Sequence, residues 1–221
     1  MSALTSPRLP RRYFARHPGT LARDLLGRIV FYRTGQGLIA GRIVETEAYT
    51  GETDPASHAY RGRTARNAVM FGRAGYAYVY FSYGVHYCLN VTAEQSGVAG
   101  AVLLRAMEPL AGIEIMRARG DRGPEVRLLS GPGKIGRGFG LTLADNGRDL
   151  TRGPLGIAAG RPVDDRDVAI SKRIGISRAV DFPYRFLVVG SGSVSVAPTP
   201  TLPRRGRGRI PVDGRRETME R

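Results

Sequence analysis

The spacing of apolar and polar residues near the N-terminus predicts a helix followed by two paired strands. Leucines recur at helical spacing over residues 20–26, and Gly27 is a typical helix stop. Residues 29–33 and 38–44 are two apolar, strand-like runs separated by the turn sequence Thr-Gly-Gln-Gly. We therefore expect an antiparallel pair whose second strand runs on into a Glu-Thr-Glu sequence.

A strict alternation further along the chain predicts a β-hairpin. Tyr76, Tyr78 and Tyr80 alternate with apolar residues, so the three tyrosines fall on one face of a strand. A Ser-Tyr-Gly sequence around Tyr83 interrupts the pattern, which resumes over residues 85–91. Tyr83 is therefore expected at the hairpin tip, pointing outward rather than packing into a core.

The rest of the chain alternates strand-like and helix-like segments. Its predicted elements are a short helix starting at Thr53-Asp54-Pro55, a buried strand over 99–104, a helix from Glu108-Pro109 to Gly120, and strands over 168–176 and 186–196. No internal repeat or interior linker is visible. We predict a mixed α/β (α+β) fold: a single domain over residues 19–197, with a curved antiparallel β-sheet, flanking helices and a protruding β-hairpin. Residues 1–18 and 198–221 are expected to be a poorly ordered arm and a disordered tail.

The charge of the chain indicates a polyanionic partner. The sequence has 34 basic against 19 acidic residues, a net charge of +15, and every basic residue except Lys134 and Lys172 is arginine. Arginine suits phosphate recognition because its planar guanidinium donates two parallel hydrogen bonds. No basic amphipathic helix, long apolar run or signal peptide is evident, so we expect a nucleic acid rather than a membrane, and a location inside the cell where DNA is, such as the cytoplasm.

Residues 42–90 concentrate the candidate chemistry, with two of the three histidines, seven of the ten tyrosines and the only cysteine. Within this stretch, Glu45 and Glu47 are two residues apart on a predicted strand, so both should lie on one face. A structural salt bridge is one interpretation of the pair. The alternatives are an acid/base pair for glycosidic bond cleavage and a single glutamate that activates water.

Other candidates also allow two interpretations. His58 alone is more often structural than catalytic, and the absence of H-x-x-x-H and C-x-x-C spacing argues against a metal site. The arginines at 61, 63 and 66 could clamp phosphates or be a solvated surface run. The glycine-rich segment 128–140 around Lys134 is not a Walker A loop; it could present N–H groups to a phosphate or be a plain turn. Tyr83, beside these arginines, suits a wedge that enters nucleic acid.

Several separated motifs together resemble the alkyladenine (3-methyladenine) DNA glycosylase family, in the monofunctional form of mammals and many bacteria. They are IVETEAY at 43–49, His58, YVYFSYG at 78–84, Asn90, VLLRAMEPL at 102–110 and SGPGK at 130–134. The resemblance extends from about residue 21 to residue 196. One departure is His86, where family members often carry an aromatic residue after the wedge.

The resemblance implies a role for each matching residue. Glu47 would be the general base that activates water, and Arg105 would orient that water and the carboxylate. Tyr49, His58 and Tyr80 would form the slot for the extruded base. Asn90 would lie against the purine edge and exclude guanine by its exocyclic amine. Tyr83 would fill the gap in the duplex, and Arg63, Arg66 and Lys134 would contact the DNA.

The expected function is therefore hydrolysis of the N-glycosidic bond of alkylated purines in double-stranded DNA, without a cofactor and by a monomer. The amine of a glycosylase/lyase would have to be Lys134, Lys172 or the N-terminus, and none falls in the tyrosine-rich stretch, which favours simple hydrolysis to an abasic site over strand cleavage. Two rival functions use the same residue types. One is a non-catalytic nucleic-acid-binding module, and the other is a hydrolase of free nucleosides.

Overall fold

The computed structural model describes residues 6–82 and 84–195. The strands are β1 (Ile29–Thr34), β2 (Gly37–Tyr49), β3 (Ala77–Ser82), β4 (His86–Thr92), β5 (Ala101–Ala111), β6 (Leu155–Ala158), β7 (Val168–Ser171) and β8 (Arg185–Val188). The helices are α1 (Arg11–Phe14), α2 (Pro18–Asp24), α3 (Ile113–Ala118) and α4 (Pro132–Phe139). Short 3-10 helices span Gly51–Thr53, Ala68–Phe71, Glu125–Arg127, Leu143–Asp145 and Asp165–Asp167.

The eight strands form one antiparallel sheet in the order β3-β4-β5-β2-β1-β6, with β8 paired to β2 and β7 paired to β8. The predicted class, a mixed α/β single domain around an antiparallel sheet, is confirmed. The β3–β4 hairpin is also as predicted, and it lies at an edge of the sheet. No helix in the described ranges is long and apolar enough to cross a membrane.

Strand β2 is the centre of the sheet because three strands pair with it. Its first half pairs with β1, most of its length with β5, and residues 45–47 with β8. The pairing with β5 shifts register on both sides of Glu45. Both Glu45 and Glu47 are fully buried here. A carboxylate inside a sheet must be paired or hydrogen-bonded, so this position dictates a polar network around the two glutamates.

The N-terminal segment differs from the expected poorly ordered arm over residues 1–18. From residue 8 onward the chain packs on the domain: Leu9 and Phe14 are buried, and Arg11 is ion-paired with Asp149. Gly75 shows how closely Phe14 is held, because a Cβ atom there would lie 2.7 Å from the Phe14 ring. The apolar residues of this segment are too few and too irregularly spaced to predict that packing. Residues 198–221 lie outside the described ranges.

The helix predicted from Glu108-Pro109 to Gly120 begins later than expected. Strand β5 continues through Pro109 to Ala111, and helix α3 follows Gly112. Pro109 is tolerated in the strand because it pairs beside a register shift between Ala40 and Gly41, where regular ladder bonds are interrupted. Gly112 has a positive φ of 78°, which makes the sharp turn between the strand and the helix.

Four further elements also differ from prediction. No α-helix starts at Thr53-Asp54-Pro55: a 3-10 helix ends at Thr53, and the Asp54 carboxylate binds Arg173 as well as the Ala56 N–H. The glycine-rich segment contains helix α4, which packs on β4 closely enough that a Cβ on Gly136 would lie 2.0 Å from the Tyr87 carbonyl oxygen. The two late strands, β7 and β8, are each shorter than predicted.

Candidate active site

A cavity of about 860 Å³ opens beside the C-terminal half of β2. Five of the six catalytic and substrate-binding residues predicted from the sequence line this one cavity: Tyr49, His58, Tyr80, Asn90 and Arg105. They come from β2, the loop after it, the hairpin and β5, so the sheet order gathers residues that are far apart in the chain.

The sixth residue, Glu47, lies directly behind the cavity wall and has no exposed surface. Its Oε1 accepts a hydrogen bond from the Ile174 N–H at 2.8 Å and lies 3.3 Å from Nη1 of Arg105. Its Oε2 accepts a hydrogen bond from the Tyr49 hydroxyl at 3.0 Å. Since Tyr49, Arg105 and Ile174 all line the cavity, every contact of the carboxylate leads to that space.

Glu45 is the second buried carboxylate that binds Arg105, and its other partners are Arg185 and Ser195. Its Oε1 accepts from Nε of Arg105 at 2.9 Å and from Nε of Arg185 at 2.7 Å. Both of its oxygens also accept from Ser195, one from the backbone N–H at 2.6 Å and one from the hydroxyl at 2.8 Å. Both glutamates thus contact the Arg105 guanidinium, as their predicted placement on one face requires.

The two carboxylates differ in acidity because their surroundings differ. Burial acts to raise the pKa of Glu45, but Arg105, the Ser195 N–H and Arg185 outweigh it and lower that pKa. For Glu47, burial raises the pKa and is only partly opposed by Arg105, the Ile174 N–H and the Tyr49 hydroxyl. Glu45 is therefore the more acidic carboxylate, whereas Glu47 is the carboxylate that binds a proton more readily.

An aromatic cluster formed by the loop after β2 and the hairpin makes one wall of the cavity. The His58 Nδ1 is 2.8 Å from the Tyr78 hydroxyl, and the His58 ring meets the Tyr80 ring edge to face with centroids 4.6 Å apart. His58 exposes part of its ring, but burial of the remainder and the nearby Arg66 lower its pKa. At neutral pH this wall therefore presents an uncharged imidazole and tyrosine rings.

Asn90 is held rigidly at the floor of the cavity. It is buried on β4 opposite Tyr78, and its side-chain Nδ2 donates to the Tyr78 carbonyl oxygen at 3.0 Å. That bond fixes the plane of the amide. A ligand entering the cavity thus meets a polar group that cannot rotate away without losing a buried hydrogen bond.

The predicted DNA-contacting residues fall into different places. Arg66 lines the cavity and its guanidinium lies 5.7 Å from the Tyr80 ring centroid, whereas Arg63 is exposed nearby but is not a lining residue. Lys134 is on α4, where its Nζ contacts Asp121 at 3.1 Å and the Arg127 carbonyl oxygen at 2.8 Å. Tyr83 lies outside the described residues.

The structure adds site residues that the sequence did not indicate. The Ile174 N–H contacts Glu47, the Tyr78 hydroxyl contacts His58, and the exposed residue Arg178 lines the cavity. Tyr78 could have been identified from the alternation that placed it beside Tyr80. Ile174 could not, because it reaches Glu47 by a backbone group. Within the described ranges, no group of three or more His, Cys, Asp or Glu residues could hold a metal ion.

Comparison with known proteins gives a consistent identification. Residues 12–192 match the family model described as Methylpurine-DNA glycosylase (MPG).

The chain is similar to proteins named "Putative 3-methyladenine DNA glycosylase" in three organisms. The protein of Carboxydothermus hydrogenoformans is 48% identical over 188 residues, which cover 85% of this chain and 98% of that protein. The protein of Koribacter versatilis is 46% identical over 194 residues (85% and 92%), and that of Rhodopseudomonas palustris strain HaA2 is 47% identical over 190 residues (86% and 91%). The chain belongs to the methylpurine-DNA glycosylase family, and it is a DNA repair glycosylase.

Proposed function

We propose that this glycosylase extrudes alkylated purines of the 3-methyladenine type from double-stranded DNA and hydrolyses their N-glycosidic bond with water activated by Glu47. The observation that carries the proposal is the setting of Glu47. A buried carboxylate of raised pKa is held by three groups that all line one aromatic cavity. The names of its relatives, which specify 3-methyladenine, support this class of substrate.

The cavity walls suit an electron-poor purine. Tyr49, Tyr80 and the neutral His58 line the same cavity with their aromatic rings. A purine alkylated at a ring nitrogen carries positive charge, and an aromatic face attracts a cation more strongly than it attracts a neutral ring. Extrusion from the duplex costs a few kcal/mol and is cheapest for damaged bases, so stacking and extrusion select in the same direction.

The chemical step follows from the position of Glu47. Water attacks the anomeric carbon of the sugar and gives its proton to the Glu47 carboxylate as the new C–O bond forms. The electron pair of the breaking C–N bond goes to the purine and neutralises its positive charge. An alkylated purine therefore departs without needing a proton from the enzyme. Arg105 keeps the carboxylate oriented, because its guanidinium is itself fixed by Glu45.

The two lysines support hydrolysis without a lyase step. Lys134 contacts Asp121, and Lys172 contacts Asp181 with Nζ and Oδ1 2.5 Å apart. Neither lysine lines the cavity, so neither is placed to form an imine with the sugar. The expected product is an intact strand with an abasic site. The Tyr83 wedge, phosphate contacts by Arg63 and Arg66, and action as a monomer inside the cell complete the proposal.

One experiment tests the proposal directly. Purified protein is incubated with methylated duplex DNA, free bases are separated and identified, and half of the DNA is treated with alkali. We expect release of 3-methyladenine, and strand cleavage only after alkali. An unmethylated duplex is the control. No base release would contradict the glycosylase proposal, and strand cleavage without alkali would contradict the monofunctional mechanism.

A further inference from the structure

Arg173 is a buried arginine that no step of the proposed mechanism uses. Its guanidinium forms two hydrogen bonds with Asp54, the one from Nη2 to Oδ1 being 2.8 Å long, and neither side chain has exposed surface. Its Nη1 also donates to the Ala48 carbonyl oxygen at 2.9 Å. Ala48 lies between Glu47 and Tyr49, so this bond fixes the backbone at the catalytic end of β2.

The same guanidinium lies against two aromatic rings. It is 4.7 Å from the centroid of Tyr49 and 5.6 Å from the centroid of Tyr184. Tyr49 lines the cavity whereas Arg173 does not, so the arginine supports the Tyr49 ring from outside the cavity. The Tyr49 hydroxyl is in turn one of the hydrogen-bond donors to Glu47.

Arg173 is also the chain neighbour of Ile174, whose backbone N–H is the second uncharged donor to Glu47. The next residue, Ile174, donates its backbone N–H to Oε1 of Glu47 at 2.8 Å. Holding Arg173 against Ala48 and Asp54 therefore fixes the chain at the point where that N–H must be aimed. Both uncharged donors to the Glu47 carboxylate depend on the position of one guanidinium.

Stability alone is a weak reason for such an arrangement. Replacing a buried ion pair by apolar residues of similar volume is often neutral or stabilising, so a buried pair is poor evidence of a stabilising role. The Nε of Arg173 is buried without a hydrogen-bond partner in the part of the chain that the structure describes, which adds a further cost. A buried group that carries such costs calls for another role.

We propose that Arg173 is a positioning residue for the glycosylase reaction, and that with Asp54 it holds the Tyr49 hydroxyl and the Ile174 N–H on the Glu47 carboxylate. This inference rests on the proposed function of Glu47. It assigns Arg173 no contact with the substrate.

The test uses Arg173→Lys in the full-length protein. Lysine keeps the positive charge but cannot bind Asp54 with two nitrogens, reach Ala48 and support a ring at once. Both donors lower the pKa of Glu47, so loosening them should raise it. We expect the acid limb of the pH–rate profile to move to higher pH. The single-turnover rate at saturating enzyme should fall about 10- to 100-fold, with DNA affinity unchanged within about twofold.

Arg11→Lys is a matched control. Arg11 also bonds a backbone carbonyl (Ala74 O, 2.6 Å) and a carboxylate (Asp149 Oδ2, 2.6 Å), and it lies 4.9 Å from the centroid of a tyrosine ring, Tyr76. None of these residues lines the cavity. Loss of a bound guanidinium away from the cavity should therefore leave the acid limb in place, and the shift of the acid limb should appear only in Arg173→Lys.

A second readout does not depend on activity. The Glu47 carboxyl is titrated by NMR in protein with ¹³C-labelled glutamate, and its signal is assigned by its absence in Glu47→Gln. An upward shift of the Glu47 pKa in Arg173→Lys and not in Arg11→Lys supports the proposal. An unmoved titration and an unmoved acid limb in folded protein overturn it. If wild-type protein releases no base, the proposed function fails, and the NMR titration still decides the positioning role.

If Arg173→Lys does not fold, the double variant Asp54→Asn/Arg173→Met serves in its place. It removes both buried charges and so avoids leaving Asp54 unpaired. The same pair of readouts applies, and a wild-type titration of Glu47 in the double variant would equally overturn the proposal.

Discussion

Arg105 Nη1 lies 3.3 Å from Glu47 Oε1 in a region that is almost closed to solvent, because the side chains are 8% and 0% exposed. The guanidinium makes its closer contact, 2.9 Å, with Glu45. Arg105 is thus anchored through its Nε on Glu45, the more acidic carboxylate, while its Nη1 faces Glu47. This division of contacts allows Glu47 to gain and lose a proton while the arginine stays in place.

Glu47→Gln should abolish base release without preventing DNA binding. Glutamine keeps the shape of the side chain, and its oxygen can still accept from Arg105 and the Ile174 N–H while its amide nitrogen faces the Tyr49 hydroxyl, but it cannot accept a proton from water. A positioned general base contributes about 10²- to 10⁴-fold to a rate, so we expect a loss of that size. Single-turnover release of 3-methyladenine measures it, and a gel-shift titration with the same duplex measures binding. Unchanged base release would contradict the role of Glu47.

The rate of base release should rise with pH through an acid limb that lies above the ordinary glutamate pKa of 4.5. Burial raises the pKa of Glu47, and Arg105 only partly opposes that effect, so the active carboxylate form appears at higher pH than for an exposed glutamate. The residual rate of Glu47→Gln should lack this limb. Single-turnover rates between about pH 4 and pH 8 test the prediction, and a limb at or below 4.5 would disprove it.

Sequence periodicity predicted the elements that place the site. The two strands before Glu45, the hairpin that carries Tyr80 and Asn90, and the antiparallel class of the sheet all follow from alternation and turn residues. The assignment of particular residues to roles came instead from the family resemblance. Periodicity alone left Glu45 and Glu47 equivalent, and only their different partners separate them.

The parts that could not be predicted depend on contacts between distant segments. Arg173 meets Asp54 across 119 residues of chain, and Ile174 meets Glu47 across 127. No local pattern encodes either contact. The two wrong helix starts have the same origin. Asp54 matches the preference for a helix start but pairs with the distant Arg173, and Pro109 matches it but lies within strand β5. Local preference is a weak influence that tertiary contacts override.

Glu45→Gln and Glu47→Gln should change stability in opposite directions at neutral pH. The folded-state pKa of Glu45 is lowered, so its ionised form contributes stability above the unfolded pKa, and this contribution is lost as pH falls through the folded pKa. The folded-state pKa of Glu47 is raised, so stability is lost as pH rises from the unfolded pKa through the folded one.

At pH 7 we therefore expect Glu45→Gln to lose about 3 kcal/mol, because it removes the buried carboxylate that both Arg105 and Arg185 contact. Glu47→Gln should be as stable as wild type or more so. Urea unfolding at pH 7 and near pH 4 measures both, and the gap between the variants should narrow at the lower pH. Equal destabilisation at pH 7 would contradict the different roles assigned to the two residues.

Asn90→Ser should relax discrimination against guanine. The amide is held in one plane by its bond to the Tyr78 carbonyl oxygen, so a guanine amine at that edge would meet a group that cannot move aside. A smaller side chain removes the obstacle, and a change of this size in a pocket alters discrimination by about 10-fold or more. Release of guanine relative to 3-methyladenine from the same methylated duplex measures it.

The control for that prediction is Asn146→Ser. Asn146 also supports β3, accepting a hydrogen bond from the Val79 N–H at 3.0 Å, but it does not line the cavity. A variant that only loosens the strand should leave the ratio of the two bases unchanged. Equal ratios for Asn90→Ser and wild type would show that the amide does not exclude guanine.

Arg63→Ala should weaken binding to all duplexes alike and reduce its salt dependence. Each phosphate contact releases counterions, so losing one lowers the slope of log K against log salt by about 1. Arg166→Ala is the control, since Arg166 is 83% exposed and lies near Asp164, far along the chain from the cavity loop. Fluorescence anisotropy at several salt concentrations measures both slopes. Identical slopes for the two variants would place Arg63 away from the DNA. In a separate assay, turnover of free nucleosides that is insensitive to salt would favour a nucleoside hydrolase instead.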